Sequence, residues 1–265
     1  SRMLRLQIVA YAVVFVLWLV PIPNPVKLLA VTFHEFSHAL AGMLTGASVF
    51  GFAIAPGGAG VTLGGGGSRL VILLAGHIGS CLWGVWLYYV SVHWRPLACV
   101  IALELVLVSS AMFGWLNGFT QVFGFVTILV LTLVAMAPDP VRLFFVQLVG
   151  SACCLYAPFE VLGSIVSSGG APDVMDVRTT SDIVQLAEVT GIPTFLIGLG
   201  ILMVQAGVLV WLVRYTCRKG ARNAFSMERA KHNHVKQIWQ DIHPQEQRLK
   251  LTPHRRAKRP RTSHR

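Results

Sequence analysis

Apolar runs of about 17 to 25 residues, the length that crosses a hydrocarbon core of roughly 30 Å, recur along most of the chain and are separated by short polar, glycine or proline breaks. The pattern predicts spans at about Leu4–Val20, Pro25–Leu44, Arg69–Val90, Leu97–Phe113, Gln121–Ala137, Val141–Val166 and Pro193–Val213. The first stops at the Pro21, Pro23, Pro25 cluster, which removes donors and fixes φ, and the second starts with proline at a helix entrance, where a missing N–H costs nothing. Because its apolar stretch is long and no small-x-small cleavage site follows, the first run is expected to be a retained span rather than a signal peptide.

Two segments break the rhythm. Residues 45–68 are rich in glycine, with β-prone pieces at Ser48–Ile54 and Gly60–Leu63, and predict a hairpin or re-entrant loop. No GK[ST] follows these glycines, so a phosphate cradle is not expected. Residues 167–192 are polar and acidic, with Asp173, Asp176, Asp182 and Glu188, and Ser181-Asp182 has the form of a helix start. The expected fold is an all-α polytopic membrane protein of about six to seven transmembrane helices, with a glycine-rich hairpin or re-entrant loop after the second.

Composition agrees with a bilayer as solvent: 54% of the 265 residues are apolar and 12% charged, with a mean hydropathy of +0.64. The net charge of +11 changes meaning once it is located. Residues 1–213 hold seven Lys/Arg and eight Asp/Glu, a net of −1, whereas residues 214–265 hold fifteen and three, a net of +12. The chain therefore divides into a transmembrane domain, 1–215, and a basic, largely disordered tail, 216–265. The tail is expected to be cytosolic and to touch anionic lipid headgroups. From Cys217 to about Ile242 it has the pattern of a surface helix anchored by Phe225, Val235, Ile238 and Trp239, and 244–265 reads as disordered. It carries no recognisable nucleic-acid-binding fold, and no nucleic-acid partner is expected. With seven alternating spans the acidic loop lies opposite the tail, and so do Arg2 and Arg5, against the usual charge bias. The five cysteines, Cys81, Cys99, Cys153, Cys154 and Cys217, have no CxxC spacing and read as small apolar packing residues.

The chemistry sits in the second run. His34-Glu35-Phe36-Ser37-His38 is an HExxH sequence, and on a helix two histidines four apart stand one turn from each other, within reach of a single Zn²⁺. In that arrangement zinc acidifies water and the adjacent Glu35 takes its proton as a peptide carbonyl is attacked. Three ionisable groups within five positions of a membrane helix would each cost a few kcal/mol at the bilayer centre, which points to a polar interior or a metal. The competing account is a pair of packing histidines bonded to neighbouring helices.

The run Phe33 to Gly42, with Thr45-Gly46 and Gly60-Val61-Thr62 beyond it, resembles the M50B-like branch of the site-2 protease family of intramembrane zinc metallopeptidases. Leu74-Ala75-Gly76-His77-Ile78-Gly79 resembles the next helix of that branch, where tyrosine is more usual at the position of His77. Ser181 to Ala187, followed by Thr190-Gly191-Ile192-Pro193, is similar to its late Ser-Asp-Ala-x-x-Leu-Ala block. The likeness covers about residues 31–195 and implies a membrane-embedded zinc endopeptidase acting on membrane-protein segments within or next to the bilayer.

The chain departs from the better-known site-2 proteases, which take a third zinc ligand from an Asp-Gly pair; it contains none. The resemblance implies Asp182, in the late block, as the third ligand beside His34 and His38, while its other reading is an N-cap of its own helix. Glu160 is the alternative, an acidic residue within a span that needs a partner or a proton. Glu104 shares that property with no motif around it, and His77 is a further option whose competing reading is a histidine hydrogen-bonded to its surroundings on an apolar face. Asn117 and Gln121 are candidate hydrogen-bond donors to substrate or oxyanion, against ordinary interhelical bonds. Two other functions compete with the protease: a catalytically inactive membrane scaffold or sorting protein of the same family, and an ion-coupled transporter, for which no internal repeat appears.

Overall fold

The computed structural model describes residues 2–19, 24–168, 181–215 and 218. The basic tail, with its expected surface helix, and the acidic stretch before Ser181 lie outside the described residues. The helices are α1 (Arg2–Leu19), α2 (Pro25–Leu44), α3 (Arg69–His93), α4 (Pro96–Ala111), α5 (Gly118–Met136), α6 (Asp139–Ser168), α7 (Asp182–Thr190) and α8 (Thr194–Tyr215). Between α2 and α3 lies an antiparallel hairpin of β1 (Ser48–Ile54) and β2 (Gly60–Gly65). Capping follows the sequence closely. Asn24 Oδ1 accepts from the amides of Val26 and Lys27 at 3.0 and 3.2 Å ahead of Pro25, and Asn117 Oδ1 accepts from the Thr120 amide at 2.7 Å.

Four helices, α3, α5, α6 and α8, are long and apolar enough to cross a membrane by length and composition. The sequence pattern led to six or seven. The difference lies in α1 and α4, whose apolar stretches are short, and in α2, whose polar residues Lys27, His34, Glu35 and His38 lower its hydropathy.

The packing order fixes directions. His77 meets Glu160 and Gly84 meets Cys154, so α3 and α6 are antiparallel. Gly76 lies against His38 and Trp83 against Phe33, so α2 opposes α3. Tyr11 packs beside Cys154 and Trp18 stacks on Phe159 at 5.4 Å, so α1 runs parallel to α6. It follows that α1 and α2 run the same way. The strict alternation assumed from sequence fails here, because these two consecutive helices are not two consecutive crossings.

The core is apolar and centred on Phe33, Phe36, Phe52, Leu87, Leu103, Leu107 and Val149. Inside it, α2 buries a continuous block from Leu28 to Ala39 that includes His34, Glu35 and His38. The outer edge of β1 is covered by the segment before α5: the Phe52 amide donates to Gly114 O at 2.9 Å and the Leu116 amide to Phe52 O at 3.0 Å. Among the described residues no strand pairs with the other edge of β2.

Candidate metal centre

His34 and His38, one turn apart on α2, turn their Nε2 atoms to within 3.0 Å of each other. Both face Oδ2 of Asp182, at 2.9 and 2.8 Å. Asp182 stands at the first position of α7, and the capping role that it could have taken belongs to Ser181, whose Oγ accepts from the Ile183 amide at 3.4 Å. The Asp182 carboxylate is thereby left to the histidines.

The far nitrogens set the tautomers. His38 Nδ1 lies 2.6 Å from the carbonyl oxygen of Ile72, which can only accept, so Nδ1 carries the proton. His34 Nδ1 lies 3.3 Å from Ser80 Oγ, and that hydroxyl already donates to Gly76 O at 2.8 Å, so it accepts from His34. In neutral rings both Nε2 atoms are then bare lone pairs aimed at each other and at a carboxylate oxygen. Such a convergence needs a cation. A shared proton is one solution: burial works against an ionised Asp182, but the two rings outweigh it and hold its carboxyl well below the usual carboxylate range. A metal ion is the solution that uses all three atoms at once. Zinc ligands at about 2.0–2.2 Å in a tetrahedron stand roughly 3.3 Å apart, so this triangle accepts the ion by opening a few tenths of an ångström.

Room for the rings depends on one residue of α3. A Cβ on Gly76 would run into Nε2 of His38 and the His34 ring, so only glycine lets α3 approach the histidine face this closely.

Glu160 is near but on another side. Its Oε2 lies 3.9 Å from His34 Nδ1 and 3.5 Å from Nε2 of the fully buried His77, away from the Nε2 triangle. His34, His77 and Glu160 thus form a second group of potential ligand atoms behind the first. A carboxylate on the Nδ1 side of a metal-facing histidine holds ring orientation and tautomer.

Glu35, next in chain to His34, points to the hairpin. Its Oε2 accepts from Thr62 Oγ1 at 2.7 Å, and a Cβ on Gly60 would collide with its carboxylate. Glu35, His38 and Asp182 share a cleft of about 480 Å³ with β2 residues Gly60 to Gly64 and with Arg69 and Gln185.

The remaining candidates fall elsewhere. Asn117 donates to Ile54 O at 3.1 Å and caps α5, Gln121 donates to Trp115 O at 3.0 Å, and Glu104 accepts from Thr132 at 2.8 Å. These are structural bonds between segments, and none reaches the cleft. In the sequence Thr62 has a place only in the run that carries the family likeness. Ser80, spaced with Gly76, Gly79 and Gly84 at three to four residues, reads as a packing residue near the site. The bond from His34 to Ser80 appears only once α3 is laid against α2.

The model of the Peptidase M50B-like family matches residues 7–212. The chain belongs to that family, and it is an integral, multi-pass membrane protein. Comparison with curated proteins and with solved structures gives no match.

Proposed function

We propose that this chain is an intramembrane zinc metalloprotease that hydrolyses peptide bonds within or next to the bilayer. The observation that carries the reading is the meeting of His34, His38 and Asp182 at 2.8–3.0 Å, with His38 and Asp182 lining the same cleft as the carboxylate of Glu35. Zinc bound by those three groups lowers the pKa of water and polarises a carbonyl oxygen. The donor set suits it: two imidazoles and one carboxylate leave a fourth position for a reactant, which catalytic zinc sites keep open.

The chain's own residues supply the rest. Glu35 takes the proton of the attacking water and returns it to the leaving amine. Thr62 and Gly60 hold its carboxylate in place from the hairpin side. Ser80, with the negative charge of Glu160 farther off, keeps the His34 proton on Nδ1, so that Nε2 is the nitrogen that would hold the metal. A helical substrate hides its carbonyls in its own hydrogen bonds and must unwind before attack. β2, whose outer edge pairs with no strand among the described residues, lines the cleft and offers backbone partners to an extended peptide, which compensates for the bonds lost on unwinding.

The test joins metal analysis to hydrolysis. The purified protein is expected to hold about one zinc per chain, to lose it in His34→Ala/His38→Ala, and to cut a reconstituted single-span substrate in a chelator-sensitive way. Zinc without cleavage of any of a panel of spans supports the scaffold reading, and a chain without zinc removes the protease.

A further inference from the structure

Between Arg95 and Asp139 the sequence carries a single charged residue, Glu104. It stands midway along α4, eight residues after Pro96 and seven before Ala111, so a rise of about 1.5 Å per residue puts it about 10–12 Å from either end of the helix. A glutamate side chain does not reach that far, and it cannot carry its charge out to the headgroups as a longer lysine or arginine does. The inner face of α4 is taken by Cys99, Leu103 and Leu107, which are buried in the core. Glu104 sits beside that face, half-buried, at the seam with α5.

Its partner there is a neutral hydroxyl. Thr132 Oγ1 lies 2.8 Å from Oε1 of Glu104 and 3.0 Å from the Ile128 carbonyl oxygen, so one proton serves two acceptors. The other carboxylates of the described residues are matched: Asp139 and Glu188 pair with arginine, Glu160 and Asp182 with histidine, and Glu35 faces the metal cleft. Among the described residues no Lys, Arg or His pairs with Glu104. The side chains one turn away, Ile101 and Val108 on α4 and Leu129 and Met136 on α5, are exposed and apolar. A carboxylate on such a lipid-facing seam calls for a cation delivered within the hydrocarbon.

We infer that the α4–α5 seam around Glu104 is a docking surface for a transmembrane helix of another membrane protein, one that carries a single Lys or Arg inside its apolar run. Charge complementarity sets the chemistry of the partner, and the sequence rules out this chain as its source. Each Lys or Arg of the described helices stands in a first or last turn: Arg2, Arg5, Lys27, Arg69, Arg142 and Arg214. Residues 169–180 and 216–265 hold no apolar run long enough to cross a bilayer. A second copy therefore offers no cation at the depth of Glu104. The surface lies on helices that carry none of the metal-site residues, so binding there stands apart from the protease reading.

The test uses the full chain and a defined probe in phosphatidylcholine vesicles, which carry no net charge. The probe is a Leu/Ala helix of about 20 residues with one central Lys, compared with the same helix bearing Leu at that place. Association is read by energy transfer between dyes on peptide and protein. The Lys helix is expected to associate about tenfold more tightly than the Leu helix, and Glu104→Gln to remove that preference. The amide keeps the size of the side chain and its bond to Thr132, so the melting temperature of the variant in detergent is expected to hold. No preference for the Lys helix, or a preference that persists in Glu104→Gln, overturns the inference. Association of the chain with itself that Glu104→Gln abolishes overturns it in favour of a second copy.

Discussion

Oδ2 of Asp182 lies within 3 Å of Nε2 of His38, across 144 residues of chain, at 2.8 Å. The contact closes the site, because it carries α7 over the cleft and supplies the carboxylate that HExxH by itself lacks. Removing that carboxylate leaves the two Nε2 atoms without the oxygen they share, since Glu160 stands only on the Nδ1 side of His34. Asp182→Ala is expected to lose zinc outright at stoichiometric metal, read by elemental analysis after desalting. Retention of full zinc occupancy, with activity, contradicts the assignment.

Glu160→Gln should behave differently. Glu160 stands 3.9 Å from Nδ1 of His34 rather than at the Nε2 triangle, so its loss loosens the ring without deleting a ligand. Zinc affinity is expected to fall by about 10–100-fold, with a correspondingly faster loss of metal to a chelator. An effect as complete as that of Asp182→Ala would mean that Glu160 binds the metal itself.

Glu35→Gln separates chemistry from metal binding. The amide keeps the size of the side chain and can still meet Thr62, but it cannot accept the proton of water. Hydrolysis is expected to drop by about 10²–10⁴-fold or more in kcat while zinc content stays at the wild-type level. Loss of both together would place Glu35 among the groups that hold the ion.

Two glycine substitutions discriminate the two halves of the site. In Gly76→Ala the new methyl meets the His34 and His38 rings, so metal binding is expected to fail. In Gly60→Ala it meets the Glu35 carboxylate, so zinc should remain while kcat falls. Equal zinc loss in both variants would show that the hairpin supports the metal and not the base.

Asn117→Ala tests a structural role. Its side chain caps α5 and donates to Ile54 O in β1. Loss of the cap alone is expected to cost about 1 kcal/mol of stability, seen as a lower melting temperature in detergent, with the KM for substrate unchanged. A selective rise in KM without destabilisation would return Asn117 to the substrate site.

Local pattern alone located a good deal. The 17- to 25-residue apolar period, the proline and glycine breaks, the proline entrance at Pro25 and the helix start at Ser181-Asp182 rest on near neighbours, so the helices and the hairpin can be read from residues that lie close in the chain. The same holds for His34 and His38, which need only one helical turn to meet. The family likeness pointed to Asp182 but left Glu160 beside it, because a carboxylate 148 residues away from His34 has no local signal that tells which atom it will face.

Tertiary packing decided what remained. It set Asp182 on the Nε2 side and Glu160 on the Nδ1 side of one ring, showed that the close packing at Gly76 is against the two histidine rings, and turned Asn117 and Gln121 into ties between segments. It also ran α1 and α2 in the same direction, where simple alternation of spans had opposed them. The physical reason is that hydropathy reports whether a helix enters lipid, whereas its direction and the side of a ring that a charge approaches depend on which helices bury their faces against one another.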